Sequence, residues 1–300
     1  MRVVTGEQLR KALPMSDAID ALERAFRVAD PGAAGPVRST VPTAAGVLLT
    51  MPAAGEQGAG AKLVTVTEAN ADLDLPRIQA VYVLFDAVTQ TPEAVIDGTA
   101  LTALRTGAVS GLATRWLARP DAAHLLVVGA GVQARVHVEA MRAVRSVDRV
   151  TVVSRTPARA ANLAAEVGGV VGTPVDLAGA DLICLCTSSV EPVLRGALRP
   201  GTHVNAVGAY TPEMRELDGA AMASGRLVVE DRATAFAEAG DLLLAIGEGA
   251  VTADHVVADL AEVVRGAEVR RDAGDATIFE SVGMAFEDLV VARATVDAVA

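Results

Sequence analysis

Residues 129–134, GAGVQA, have the types and spacing to hold a dinucleotide. Gly129 permits a tight turn, Gly131 lets the backbone approach a pyrophosphate, and the small Ala134 allows a helix and a strand to pack closely. Val132 and Gln133 then open a helix whose free N–H groups face the phosphates. The pattern alone is weak, but it follows LLVV, precedes a helix-spaced run, and is followed about 20 residues later by a second strand, which is the context the fingerprint requires. That second strand ends in VVSRTPAR. An NAD site usually places an Asp or Glu there for the ribose 2'-hydroxyl, whereas a 2'-phosphate needs cations and small hydroxyls. Ser154, Arg155, Thr156 and Arg159 supply the latter and no acid, so NADP(H) is expected over NAD(H). The bland alternative is a solvated arginine at a helix start. Thr187 and Ser188 in CTSS, and Val207 and Gly208 in NAVGA, end the next two strands at the carboxyl edge, where such a sheet meets its ligand.

These groups need a scaffold, and 300 residues that are 51% hydrophobic can bury two cores. A formal net charge of -11 argues against nucleic acid or an anionic membrane as partner, since both need concentrated positive surface. No apolar run reaches about 18 residues and the start does not read as a signal peptide, so a soluble cytoplasmic protein is expected. Cys184 and Cys186 read as small buried hydrophobes rather than a redox pair. The four histidines have no ligand spacing, so no metal is expected.

The opening carries Ile19, Leu22, Ala25 and Phe26 at helical spacing, with Ser16 placed to cap. The runs GVLLTMPA, AKLVTVTEA and QAVYVLFDA follow without helices between them, which predicts an antiparallel sheet. A helix capped by Asp97 or Thr99 then runs toward Pro120. From His124 strands and helices alternate, and the strands are almost continuously apolar. The fold class is therefore α/β, with a doubly wound parallel Rossmann sheet over 120–279. The last segment, from TIFESVG onward, reads as one long amphipathic helix that crosses back to the first domain, giving a second domain of 1–119 plus 280–300.

The motifs GAGVQA, LRTGAVSGLATRWLA, KLVTV, HVNAVGAYTPEMRELD and TIFESVGMAFEDLVVA, in their order and spacing, resemble the ornithine cyclodeaminase/mu-crystallin family over nearly the whole chain. The resemblance implies a homodimer whose second, α+β domain binds substrate and dimerises, with chemistry at an amino or imino carbon next to a carboxylate. Taken alone, Arg38 is a loop arginine and Lys62 an edge-strand lysine. The resemblance makes Arg38, Lys62 and Arg105 a cationic substrate site, in which bidentate arginines suit a planar carboxylate and a lysine adds charge or a proton. It also implies that Thr106 and Ser281 lie with the cofactor residues.

Departures from the family narrow the activity. Cyclodeaminases resembling this chain carry an Asp where Tyr210 stands and a Glu where Leu49 stands. Without both, a substrate side-chain ammonium loses its obvious partners. The segment VGAYTPEMREL instead resembles the mu-crystallin branch of ketimine reductases, although Ile78 replaces a His of that branch and Glu280 a Lys. The expected activity is NADPH-dependent reduction of a C=N bond beside a carboxylate. A cyclic imino acid such as 1-pyrroline-2-carboxylate or 1-piperideine-2-carboxylate is the favoured substrate. Arg38 and Arg105 anchor the carboxylate in this reading, Lys62 lies beside the imine, and Tyr210 is either a second proton donor or a cleft-lining aromatic. A cyclodeaminase-type lyase, an amino-acid dehydrogenase and a non-catalytic NADPH-binding protein are the alternatives.

Overall fold

A computed structural model describes residues 1–73, 75–173 and 179–299, and the elements and contacts below are those of these residues. The chain divides into two compact units, Met1–Arg105 with Met284–Ala300, and Thr106–Gly283. The first begins with β1 (Arg2–Val4), α1 (Gly6–Ala12) and α2 (Met15–Val28). Thr5 and Gln8 form a capping box on α1. Ser16 does not cap α2. The helix begins at Met15 behind Pro14, so the Ser16 hydroxyl already lies in the first turn and donates to Asp17. The apolar face of α2, with Ile19, Leu22 and Phe26, is buried.

Strands β2 (Ser39–Thr43), β3 (Gly46–Gly55), β4 (Gly58–Val66), β5 (Ile78–Phe85) and β6 (Pro92–Asp97) then form a sheet of order β1-β6-β5-β4-β3-β2. Its pairs are antiparallel except β1 with β6. The strand β1 is too short to show a period in the sequence. Side chains alternate across the sheet. Met51, Lys62, Tyr82 and Ile96 lie opposite one another on the buried face. Leu63 and Thr65, one step along, are exposed. Helix α3 (Gly98–Leu117) follows, and of its two candidate caps Asp97 serves, accepting from the Thr99 and Ala100 N–H groups.

The second unit holds β7 (His124–Val128), α4 (Val132–Val144), β8 (Arg149–Val153), α5 (Pro157–Val167), β9 (Val170–Val171), β10 (Leu182–Leu185), β11 (His203–Ala206), α6 (Gly219–Ser224), β12 (Arg226–Val229), α7 (Arg232–Glu238), α8 (Gly240–Gly247), β13 (Val256–Asp259), α9 (Leu260–Val264) and β14 (Thr277–Glu280). Its sheet is parallel throughout, of order β13-β12-β14-β11-β10-β7-β8-β9. Burial on both faces is why its strands read as unbroken apolar runs. On one face Leu126, Ile183, Val204 and Ile278 pack with Met222 of α6 and Leu242 of α8. On the other, the Ser110 hydroxyl of α3 bonds His137 Nε2 at 2.9 Å, and Asn205 donates to Thr114 at 2.9 Å. Cys184 is buried and Cys186 half-buried, and burial pushes the Cys184 thiol up to about 12, as expected of an inert hydrophobe.

The C-terminal segment is not one helix. Its TIFE portion is β14, inserted between β11 and β12, because β-branched and aromatic residues suit a central strand. Gly283, at φ +81, turns the chain before α10 (Ala285–Val299). Nor is α10 amphipathic. Residues 285–292 are all buried, Glu287 and Asp288 included, as the helix packs on α1, α2, β3, β4 and β5. Phe286 meets Phe26 edge to face with ring centroids 5.3 Å apart.

The units meet in sequence at Arg105/Thr106 and Gly283/Met284, not at 119/120 and 279/280. The later turns of α3 bond to the second unit's own residues, and the strand β14 belongs wholly to its sheet. No helix among the described residues is long and apolar enough to cross a membrane.

Candidate active site

In the first unit the sheet and α10 bring four charged side chains together out of water. Lys62 projects from the buried face of β4 and is 1% exposed. Its Nζ lies 2.9 Å from Asp288 Oδ1 and 2.7 Å from Oδ2. Arg105, from α3, places Nη1 3.0 Å from Glu287 Oε2 and Nε 3.3 Å from Asp288 Oδ1. Both carboxylates are fully buried. Arg38 sits just before β2. Ser39 pairs with Thr50, so carrying the register one residue back sets Arg38 at the level of Met51, which faces Lys62.

Lys62 is lowered to about 8, chiefly by burial; Asp288 opposes this, and the charges of Arg105 and Arg38 add to it. Its ammonium is thus held at neutral pH but within reach of release, as an acid near working pH requires. Opposite it, Tyr82 is fully buried and its hydroxyl lacks a hydrogen-bond partner among the described residues. The ring leans over Gly60, where a Cβ would come within 2.2 Å of the hydroxyl oxygen. Burial and the Asp288 charge keep this phenol protonated.

Glu287, Asp288 and Tyr82 do not emerge from the sequence reading. The two acids were visible as an unusual pair inside AFEDLVVA, where carboxylates flanked by apolar residues on both sides must find cations or neutralise.

In the second unit the glycine turn closes as its spacing requires. Gly129 has φ +116, and a Cβ there would lie 2.5 Å from the Cys186 carbonyl oxygen, so no larger residue fits. Gly131 is the N-cap of α4, has no side-chain cap bond, and opens onto space that a Cβ would not fill with protein contacts. Val132, exposed, and Gln133 begin the helix, and Ala134 is fully buried. This is an anion cradle at a helix N-terminus, and it fits a dinucleotide pyrophosphate.

At the end of β8, Ser154 is half-buried and accepts from the Thr156 N–H at 3.3 Å, while Arg155, Thr156 and Arg159 are exposed around the start of α5. The loops after β10 and β11 are stapled together by Glu216. Its Oε1 accepts from the Thr187 N–H and hydroxyl, each at 2.7 Å, and its Oε2 from the Gly208 N–H at 2.7 Å. The Thr187 hydroxyl is therefore spent as a donor inside the protein, while Ser188 is exposed and Val207 half-buried. Ser281 is buried and donates to Glu230 at 2.7 Å, so its hydroxyl too is engaged within the fold. Thr106 is buried at the start of this unit. Tyr210 is half-buried against the apolar cluster of α8. Glu280 ends β14 fully buried, with both carboxyl oxygens unpartnered among the described residues. Burial and the neighbouring Asp241, Glu216 and Glu230 push it far above the usual carboxylate range.

Known proteins place this geometry. The chain is 39% identical over 245 residues to a Delta(1)-pyrroline-2-carboxylate reductase of Paracoccus denitrificans (strain Pd 1222), covering 78% of each. It is 40% identical over 277 residues to the ketimine reductase mu-crystallin of Rattus norvegicus, covering 89% of this chain and 86% of that one. The structure of a Thermococcus litoralis Delta(1)-pyrroline-2-carboxylate reductase, in complex with NADH and L-proline, superimposes with a TM-score of 0.94 at 32% identity, over 99% of this chain and 97% of that one. The model of the ornithine cyclodeaminase/mu-crystallin family matches residues 2–300. The chain belongs to the ornithine cyclodeaminase/mu-crystallin family.

Proposed function

We propose that this protein is a nicotinamide-dependent oxidoreductase that reduces a cyclic imino acid at the C=N bond beside its carboxylate, with 1-pyrroline-2-carboxylate or 1-piperideine-2-carboxylate as substrate. The observation that carries the reading is the buried Lys62–Arg105 pair, two cations held side by side by carboxylates on a fold whose relatives are reductases of this class. Gly129, Gly131, Val132, Gln133 and Ala134 would hold the pyrophosphate. Thr106, Thr187, Ser188, Val207, Gly208 and Ser281 line or brace the rest of the cofactor site. A bound nicotinamide supplies the hydride. Arg38 and Arg105 grip the substrate carboxylate through planar donors, and Lys62 keeps the imine nitrogen protonated, which makes the adjacent carbon electrophilic. Tyr210 is a second candidate donor. The test is oxidation of NADPH by the two imino acids against ammonia release from ornithine or lysine. Ammonia release without imine reduction overturns the reading in favour of a lyase.

NADPH is the proposed coenzyme, supported by the exposed Arg155 and Arg159 and by the lack of an acid at the end of β8. The double variant Arg155→Ala/Arg159→Ala is expected to lower kcat/KM for NADPH about 30- to 900-fold, at roughly 1–2 kcal/mol for each of the two lost charge-assisted contacts, and to leave NADH nearly unchanged. A wild-type preference for NADH would reverse the assignment.

A homodimer in the cytoplasm completes the proposal. The open face of the first unit's sheet carries Val41, Leu63 and Val3, at 53%, 40% and 71% exposure. Such an apolar sheet face calls for a partner, and a second copy supplies a self-complementary one. Leu63→Asp is expected to shift sedimentation from dimer to monomer; a wild-type monomer would defeat the idea.

A further inference from the structure

We infer that Asp288 is a positioning residue, which fixes the Lys62 ammonium and the Arg105 guanidinium as one cationic pair and keeps Lys62 charged when the site takes an anion. The inference rests on the reading of Lys62 and Arg105 as the substrate-carboxylate site, and it adds a group that touches neither substrate nor cofactor.

The geometry is that of a clamp. Both Asp288 oxygens reach the Lys62 ammonium, at 2.9 and 2.7 Å, and Oδ1 also lies 3.3 Å from Arg105 Nε. One carboxylate thus spans two cations that would otherwise repel each other in a low-dielectric setting. The next residue back, Glu287, takes Arg105 Nη1 at 3.0 Å, so the guanidinium is gripped by consecutive side chains of α10. All four side chains are nearly or fully buried, which limits their rotation.

The charges acting on Lys62 come from the elements packed around it: Asp288 from α10, Arg105 from α3 and Arg38 from the segment before β2, with Glu287 of α10 bound to Arg105 and the neutral phenol of Tyr82 opposite on β5. Burial, Arg105 and Arg38 all disfavour the ammonium, and the group that opposes them is Asp288. Of the 26 lysines and arginines only two are lysines, Lys11 and Lys62. Arginine stays charged at any working pH, so Lys62 is the cation of this cluster whose charge can change.

The two-lysine composition makes a direct test possible. In protein labelled with 13C at lysine Cε, two signals are expected, one from exposed Lys11 and one from Lys62. In the wild type the Lys62 signal is expected to titrate near pH 8. Asp288→Asn is expected to move that midpoint down by at least one pH unit, about a tenfold fall in the ammonium-to-amine ratio at pH 8. Asp288→Glu is expected to recover most of it. Asp297→Asn, which removes an exposed acid from the same helix, leaves it unmoved.

The same midpoints should govern kcat/KM for the cyclic imino acid and the affinity for pyrrole-2-carboxylate, a planar monocarboxylate that cannot be reduced. If Asp288→Asn lowers stability or activity while the Lys62 midpoint stays in place, Asp288 is only structural and the inference is wrong. If the midpoint moves but neither ligand binding nor turnover follows it, the clamp stands and the placement of the substrate at Lys62 fails.

Discussion

Lys62→Ala is expected to lower kcat/KM for the cyclic imino acid by about 10²- to 10³-fold, the range for losing one donor aimed at bound or developing charge. The same change should also destabilise the protein, because it strands the fully buried Asp288. Removing one partner of a buried ion pair costs about 3–5 kcal/mol. The lower end applies here, since Arg105 Nε remains 3.3 Å from the carboxylate. Stability and catalysis can then be separated with the double variant Lys62→Met/Asp288→Leu, which replaces the pair by apolar groups of similar volume. Such replacements are often neutral or better for stability, so the double variant is expected to regain most of the lost urea midpoint while remaining inactive. Wild-type turnover in Lys62→Ala would show that the site lies elsewhere.

Glu280→Gln is expected to stabilise the protein at pH 8 and to have little effect near pH 4. The folded state holds the Glu280 carboxyl neutral, far above its unfolded range, because it is buried beside Asp241, Glu216 and Glu230. Above the unfolded value, folding therefore takes up a proton, and stability falls as pH rises until the folded carboxyl finally ionises. The slope from this one group is about 1.4 kcal/mol per pH unit. Glutamine has the shape of the neutral acid and no proton to take up. Glu216, raised to about 8, and Asp241, raised to about 6, contribute slopes of the same sign. The variant should thus lose one proton's worth of pH dependence, not all of it. Urea midpoints measured from pH 5 to 8 read this directly, and parallel curves for variant and wild type would refute it.

Much of the architecture was legible because it is local. GAGVQA after LLVV dictates a glycine turn, and Gly129 adopts the positive φ that the motif demands. Unbroken apolar runs announced a parallel sheet buried on both faces, and three strand-like runs without helices between them announced antiparallel pairing. What failed was non-local. In TIFESVGMAFEDLVVA, Phe279 and Phe286 look alike in a hydrophobic pattern, yet one sits in a central strand and the other in a helix. Glu287 and Asp288 stand out as acids among apolar residues, but their partners Lys62 and Arg105 are too distant along the chain for the local pattern to name. Ser16 shows the local limit: a hydroxyl near a helix start caps only at one position, and with Pro14 as the N-cap the helix starts two residues too early for it.

The first unit is assembled from both ends of the chain, and this sets an order for its birth on the ribosome. Residues 106–283 are contiguous and can fold as they emerge, since every strand of the eight-stranded sheet is encoded between its first and last residue. Residues 1–105 must wait through that synthesis for α10, which fills the space against α1, α2 and three strands. Until Asp288 arrives, Lys62 has no counter-ion from that helix, and the face that will be buried stays open. Until α10 emerges, the nascent chain therefore carries an exposed sheet face, the kind of species that chaperones hold.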